Sequence, residues 1–269
     1  MRRVRLIATA TLRESLQQRS FGLLLLAALA FVAGTLFLRQ FNFGSSELKF
    51  VADLGFGMLS LGAALLAITM TTQVFFDECE RRTLHLLLAR GVSRSEFLLG
   101  KLGGVTLLLG LYTFVLLTCL CPVLWARETA LLALMPDGFE RGYGLNFAGV
   151  MIAAYAFWLK SWVLASAVLW LATFAQNRIS AMGCGLLLLV IFHTGGVLAV
   201  YGSNGGWPAW LSYGVRYILP DFAAFDLTPA VFEGADGFVG RAARLTLYAV
   251  LYGAVFIGLG VLQLRRREI

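Results

Sequence analysis

The sequence contains no G-x-x-x-x-G-K-[ST] phosphate loop, no H-E-x-x-H and no G-x-S-x-G. Those absences exclude a P-loop nucleotide-hydrolysing core, a helical zinc-protease site and a nucleophile elbow. Gly100-Lys101 comes nearest to the first pattern, but Leu102 follows it and position 95 holds Ser95 instead of glycine. Histidine is scarce: His85 and His193 are the only two, so a histidine-based metal site within one chain is not expected. Charge is scarce too, at 14% of residues against about 25% in an ordinary globular protein. Cys79, Cys119, Cys121 and Cys184 fit neither a zinc spacing nor a disulfide framework, and they read as small buried hydrophobes.

What fills the sequence instead is apolar. The residues AVILMFWYC make up 59% of its 269 positions. A soluble protein of that composition could not cover its surface, whereas a bilayer supplies an apolar solvent. Six runs approach the roughly twenty residues that a membrane-spanning helix needs: Phe21–Leu38, Leu54–Phe76, Leu102–Trp125, Phe147–Ala175, Ile179–Tyr201 and Leu245–Leu264. The chain therefore reads as an all-α polytopic membrane protein with six transmembrane helices. The first run follows a basic stretch and could mimic a signal peptide, but the helix-patterned residues before it and the runs after it make it an uncleaved span.

Basic residues set the orientation. With the N-terminus inside, residues 1–20, 77–101, 176–178 and 265–269 carry fourteen Lys and Arg, and the longer outside segments 39–53, 126–146 and 202–244 carry seven. The excess of basic residues on the shorter segments places both termini in the cytoplasm. It also accounts for the net charge of +7 without nucleic acid as a partner. Val4, Ile7, Ala8, Thr11, Leu12, Ser15 and Leu16 recur at helical spacing, with Arg5, Arg13 and Gln17 opposite. Residues 1–20 thus read as an amphipathic interfacial helix. In the last outside segment Trp207, Trp210, Tyr213, Tyr217, Phe222 and Phe225 have the amphipathic character of a membrane-interface belt.

Two ionisable residues fall inside apolar runs and are candidates for a translocation path: Lys160 and His193. Each has an ordinary reading beside it, snorkelling to an interface for Lys160 and a hydrogen bond between helices for His193. The run that holds Lys160 is about 29 residues, or roughly 43 Å of straight helix, longer than a bilayer core of about 30 Å. The mismatch favours an outer interfacial helix over 147–159, capped by Asn146, with Lys160 at the outer boundary and Trp158 and Trp162 beside it. The other arrangement is one tilted helix with Lys160 near mid-membrane.

The segment from Phe76 to Leu102 is the most informative. Asp77 can cap a helix with Glu80 at its third position. That helix would run to about Arg90 and stop at Gly91. Ser93 and Glu96 form a second capping box, S-x-x-E, that starts the next helix. Leu84, Leu87 and Leu88 share one face of the short helix, and Glu78 can pair with Arg81 and Arg82. The residues alone leave open whether that face enters a partner's groove or packs on the chain's own membrane domain.

This segment resembles the cytoplasmic loop of ABC-2-type transporter permeases. The resemblance rests on Glu78, Arg81, Thr83, Leu84, Leu87, Leu88, Val92, Ser93, Arg94, Gly100 and Lys101, with Gly91 where many members have proline. It is close over about 25 residues and loose over the rest of the chain. It implies one transmembrane domain over 1–269, with residues 77–101 as the coupling loop seated in a separate ABC ATPase subunit. It implies a bacterial inner-membrane location and a second permease copy, with homodimer as the expected form. ATP and Mg would belong to the ATPase, so this chain would hold no cofactor and no catalytic residue. Glu78, Arg81, Thr83, Leu84, Leu87, Leu88, Gly91, Ser93 and Arg94 would couple to the ATPase. Substrate export is the function implied. The alternative is a mechanotransmission subunit that passes ATPase motion to a periplasmic protein docked on 126–146 and 202–244.

Overall fold

Apolar runs of this length leave their backbone polar groups without water, and in lipid an unpartnered N–H or C=O costs several kcal/mol, so the chain closes its hydrogen bonds locally as helices. The computed structural model describes residues 2–35, 47–80, 93–134, 144–204, 219–233 and 237–266, and among them every regular element is helical. The helices are α1 (Arg2–Leu16), α2 (Arg19–Gly34), α3 (Glu47–Glu80), α4 (Arg94–Leu134), α5 (Phe147–Ala172), α6 (Arg178–Asn204), α7 (Ala230–Glu233) and α8 (Phe238–Arg266). A 3₁₀ turn at Ala223–Phe225 precedes α7.

α3, α4, α5 and α8 are each long and apolar enough to cross a membrane, and α1 with α2, bent by 65° at the break between them, would make a fifth crossing. The described apolar part of α6, Arg178–Thr194, is shorter. α3 and α4 run past the apolar stretches that define them, to 34 and 41 residues. At the start of α4 the expected capping box is present: Ser93 N–H donates to Glu96 Oε2 at 2.9 Å, and Glu96 N–H to Ser93 Oγ at 3.2 Å. Asp77, expected to cap a new helix, instead lies within the last turn of α3. Its carboxylate is taken by Arg178, so it does not compete for local backbone N–H groups and the helix continues through it.

α5 is the centre of the bundle. It packs against α3, α4, α6, α7 and α8. In its most apolar window 78% of residues are buried, against 28% in α8. α8 accordingly turns Leu247, Leu251, Val255, Leu259 and Leu262 outward, an apolar face suited to a lipid solvent. The expected division of Phe147–Ala175 into an interfacial piece and a span is not found. α5 is one helix of 26 residues, about 39 Å long, and the aromatics expected at an interface are packing residues. Trp158 Nε1–H donates to Thr106 O at 3.2 Å, and Trp162 lies where a side chain on Gly253 would have to go, 2.5 Å away. Asn146 does cap α5, its Oδ1 accepting from Ala148 N–H at 3.0 Å and Gly149 N–H at 3.3 Å.

α1 lies against the start of α4. A Cβ on Gly100 would fall 2.6 Å from Ile7, and one on Gly104 would fall 2.5 Å from Thr11, so only glycine permits this approach. Ala8, Thr11 and Ser15 are buried, as the amphipathic pattern requires. Leu16, expected on the same face, is exposed. The cysteines are free, and Cys119 and Cys184 are exposed, not buried; on helices this apolar, a small weakly polar side chain can face an apolar solvent.

The chain after α6 also enters the bundle. Phe222, Phe225, Leu227 and Val231 are buried. Phe222 N–H donates to Phe192 O at 3.3 Å, and Asp221 N–H to Tyr248 Oη at 2.9 Å. Phe222 and Phe225 are therefore core residues and not members of an interface belt. Trp207, Trp210, Tyr213 and Tyr217 lie outside the described residues.

Candidate functional site

Two places concentrate polar chemistry in this apolar frame. The first is the end of the bundle where residues 81–92 join α3 to α4. The last turn of α3 carries Asp77, Glu78 and Glu80. Lys101, in the second turn of α4, donates to Glu78 Oε1 at 2.8 Å and is only 3% exposed. Arg178, the first residue of α6, donates to Asp77 Oδ1 and lies 3.6 Å from Glu80 Oε2. Arg94, the first residue of α4, donates to Leu264 O near the end of α8, where a cation also complements the helix dipole. Four helix ends are thus tied by charge-assisted hydrogen bonds, stronger than neutral ones. Glu78 thus has a described partner in Lys101, while Arg81 and Arg82, its predicted partners, lie outside the described residues.

Of the expected coupling residues, Glu78, Ser93 and Arg94 belong to this framework. Arg81, Thr83, Leu84, Leu87, Leu88 and Gly91 lie outside the described residues. The Gly100-Lys101 pair has a double use: Gly100 receives α1 and Lys101 holds the end of α3.

The second place is a cavity of about 780 Å³ between α3, α5, α6 and the segment from Phe222 to Thr228. Such a volume falls within the usual range of small-molecule sites. Lys160 and His193, far apart in sequence, both line it. Lys160 sits midway along α5 and is 9% exposed. Its ammonium donates to Ser60 Oγ at 3.2 Å and lies 5.4 Å from the ring centre of Phe222 and 5.9 Å from that of Phe157. It therefore does not snorkel along its own helix but points into the cavity, because α5 is central and continuous. His193 is exposed at the cavity wall, and it makes no hydrogen bond among the described residues.

The cavity also has members that sequence reasoning missed. Asp53 and Ser60 come from α3, Asp226 and Thr228 from the segment after the 3₁₀ turn. Asp226 is held by a local turn, its Oδ1 accepting from Thr228 N–H at 3.1 Å and Thr228 Oγ1 at 2.6 Å. The only signal for Asp53 was a carboxylate at the edge of an apolar run. Asp226 stood in a polar segment with nothing to mark it.

A family model described as "ABC-2 family transporter protein" matches residues 5–269. No curated protein matches the chain.

Proposed function

The chain belongs to the ABC-2 transporter family, and we propose that it is the permease subunit of an ABC transporter, half of a translocation pathway completed by a second copy. The reading is supported above all by the extent of the family match, residues 5–269, on a chain with several apolar membrane-crossing helices. ATP and Mg²⁺ bind a separate ATPase subunit, since residues 1–269 carry no phosphate loop. The direction is export. In this reading α2 and α6 complete six spans, α1 lies at the inner interface, and both termini are in the cytoplasm of a bacterial cell. The basic-residue bias supports that orientation.

Residues 77–101 form the coupling element. Leu84, Leu87 and Leu88 enter a groove of the ATPase, and Glu78, Arg94 and Lys101 pass the force on. The ionic framework supports this role because it ties the flanks of the segment to α3, α4, α6 and α8. α3 carries Glu78 at one end and Ser60 in the cavity, a separation of roughly 27 Å along one rigid helix. Co-expression of the tagged chain with an ABC ATPase subunit from the same genome tests the reading. The unaltered pair co-purifies, and Leu87→Asp and Leu88→Asp, which bury an unpaired charge in the contact, lose the ATPase. Normal association and transport in both variants would contradict it.

A further inference from the structure

The cavity is built asymmetrically. Its inner wall presents a lysine, and its other ionisable groups are two carboxylates and one histidine. Lys160 is 9% exposed, and among the described residues no carboxylate lies within ion-pair distance of it. An ammonium has three N–H donors, and among the described residues one acceptor takes one of them, Ser60 Oγ. The faces of Phe157 and Phe222 stabilise the cation, but they satisfy no N–H directionally. A buried cation left in that state is expensive unless an anionic partner reaches it. Asp226 lines the same cavity, beyond ion-pair distance of Lys160. Asp53 and Asp226 are exposed on the same cavity, so an entering molecule meets negative charge as well as Lys160. The rest of the lining, including Phe56, Leu61 and Leu189, is apolar.

We propose that this cavity binds a zwitterionic amphiphile: its acidic group on Lys160 and Ser60, its ammonium facing Asp53 and Asp226, and its apolar body on the aromatic and aliphatic wall. A purely anionic molecule satisfies Lys160 but is repelled by the two carboxylates. A neutral one leaves Lys160 unpaired. The assignment rests on the permease reading, in which this cavity belongs to the pathway, and it names the class of cargo. Two sources carry this chemistry, an aminophospholipid headgroup and a short apolar peptide with free termini.

Equilibrium binding to the purified full chain in dodecyl maltoside, read by native mass spectrometry, separates the cases. The probes are lysophosphatidylethanolamine, tetraleucine and lysophosphatidic acid, with the detergent as the neutral amphiphile. One of the two zwitterions binds the unaltered chain about tenfold tighter than lysophosphatidic acid, and Lys160→Met lowers that affinity about tenfold or more, the scale of a hydrogen bond to a charged group. Lys160→Arg retains most of the binding, and Asp53→Asn with Asp226→Asn removes the preference over lysophosphatidic acid. Preference for the lysolipid assigns the cargo to lipids, and preference for the peptide assigns it to peptides. Tighter binding of lysophosphatidic acid than of either zwitterion, or equal affinities for the unaltered chain and a folded Lys160→Met chain, would overturn the proposal. ATPase co-purification is scored on the same variants: retained association without zwitterion binding rejects the cargo class alone, and zwitterion binding without any ATPase association rejects the permease reading alone.

Discussion

Glu78 and Lys101 show how a single contact can govern a joint. Lys101 is almost fully buried, while Glu78 keeps 20% of its side chain exposed. Removing the carboxylate strands a buried ammonium, whereas removing the lysine leaves a carboxylate that water can still reach. Glu78→Gln should therefore lower stability by about 2 kcal/mol, a value below that of a fully buried pair because Glu78 is partly solvated. Lys101→Met should be milder, and the double variant should recover part of the loss, as coupled neighbours do. Thermal unfolding of the purified chain measures all three. A Lys101→Met chain less stable than Glu78→Gln would show that Lys101 does more than answer Glu78. At this scale the sequence was legible where chemistry contradicts its surroundings. Lys160 and His193 stand out because an ionisable group in an apolar run is conspicuous, and the structure places both on one cavity. Asp53, Ser60 and Asp226 do not stand out, because folding alone brings α3 and the 222–228 segment to α5.

Among the elements, α1 tests the packing account best. Its seat on α4 depends on absent side chains. At Gly104 a Cβ would meet Thr11 at 2.5 Å and the carbonyl oxygen of Ala8 at 2.8 Å, and the latter cannot rotate away. Gly104→Val should lift α1 from α4 and speed tryptic cleavage at Arg13. Gly103→Ala adds an ordinary 3.5 Å contact with Ala8 and should leave cleavage unchanged; equal cleavage in both would remove this packing as the cause. At the start of α5, Asn146→Ala should cost about 1 kcal/mol through loss of its cap, again read by thermal unfolding. Caps of this kind were visible in the sequence because they are local, Ser93 with Glu96 and Asn146 with Ala148. The continuity of α3 through Asp77 and of α5 through Lys160 was not, because both depend on distant residues, Arg178 for one and the surrounding helices for the other.

For the whole molecule, the apolar runs foretold an all-helical membrane protein. They could not fix how much of each helix lies in lipid, since α4 and α8 continue beyond their apolar windows into polar sequence. The proposed orientation, with both termini in the cytoplasm, is supported by the basic-residue bias. In a cysteine-free background, Ser203→Cys should react with an impermeant thiol reagent in intact cells and Ser93→Cys should not; the reverse pattern would invert the topology. In the proposed reading, the ionic framework at the ends of α3, α4, α6 and α8 is a joint through which a push on residues 81–92 would reach α3 and α6, two of the helices that line the cavity. A photoreactive amino acid at position 87, in cells that contain the ATPase, tests this claim most directly. The account predicts an adduct between the chain and the ATPase that is absent when the same group stands at position 203, and an adduct formed from 203 but not from 87 would contradict it.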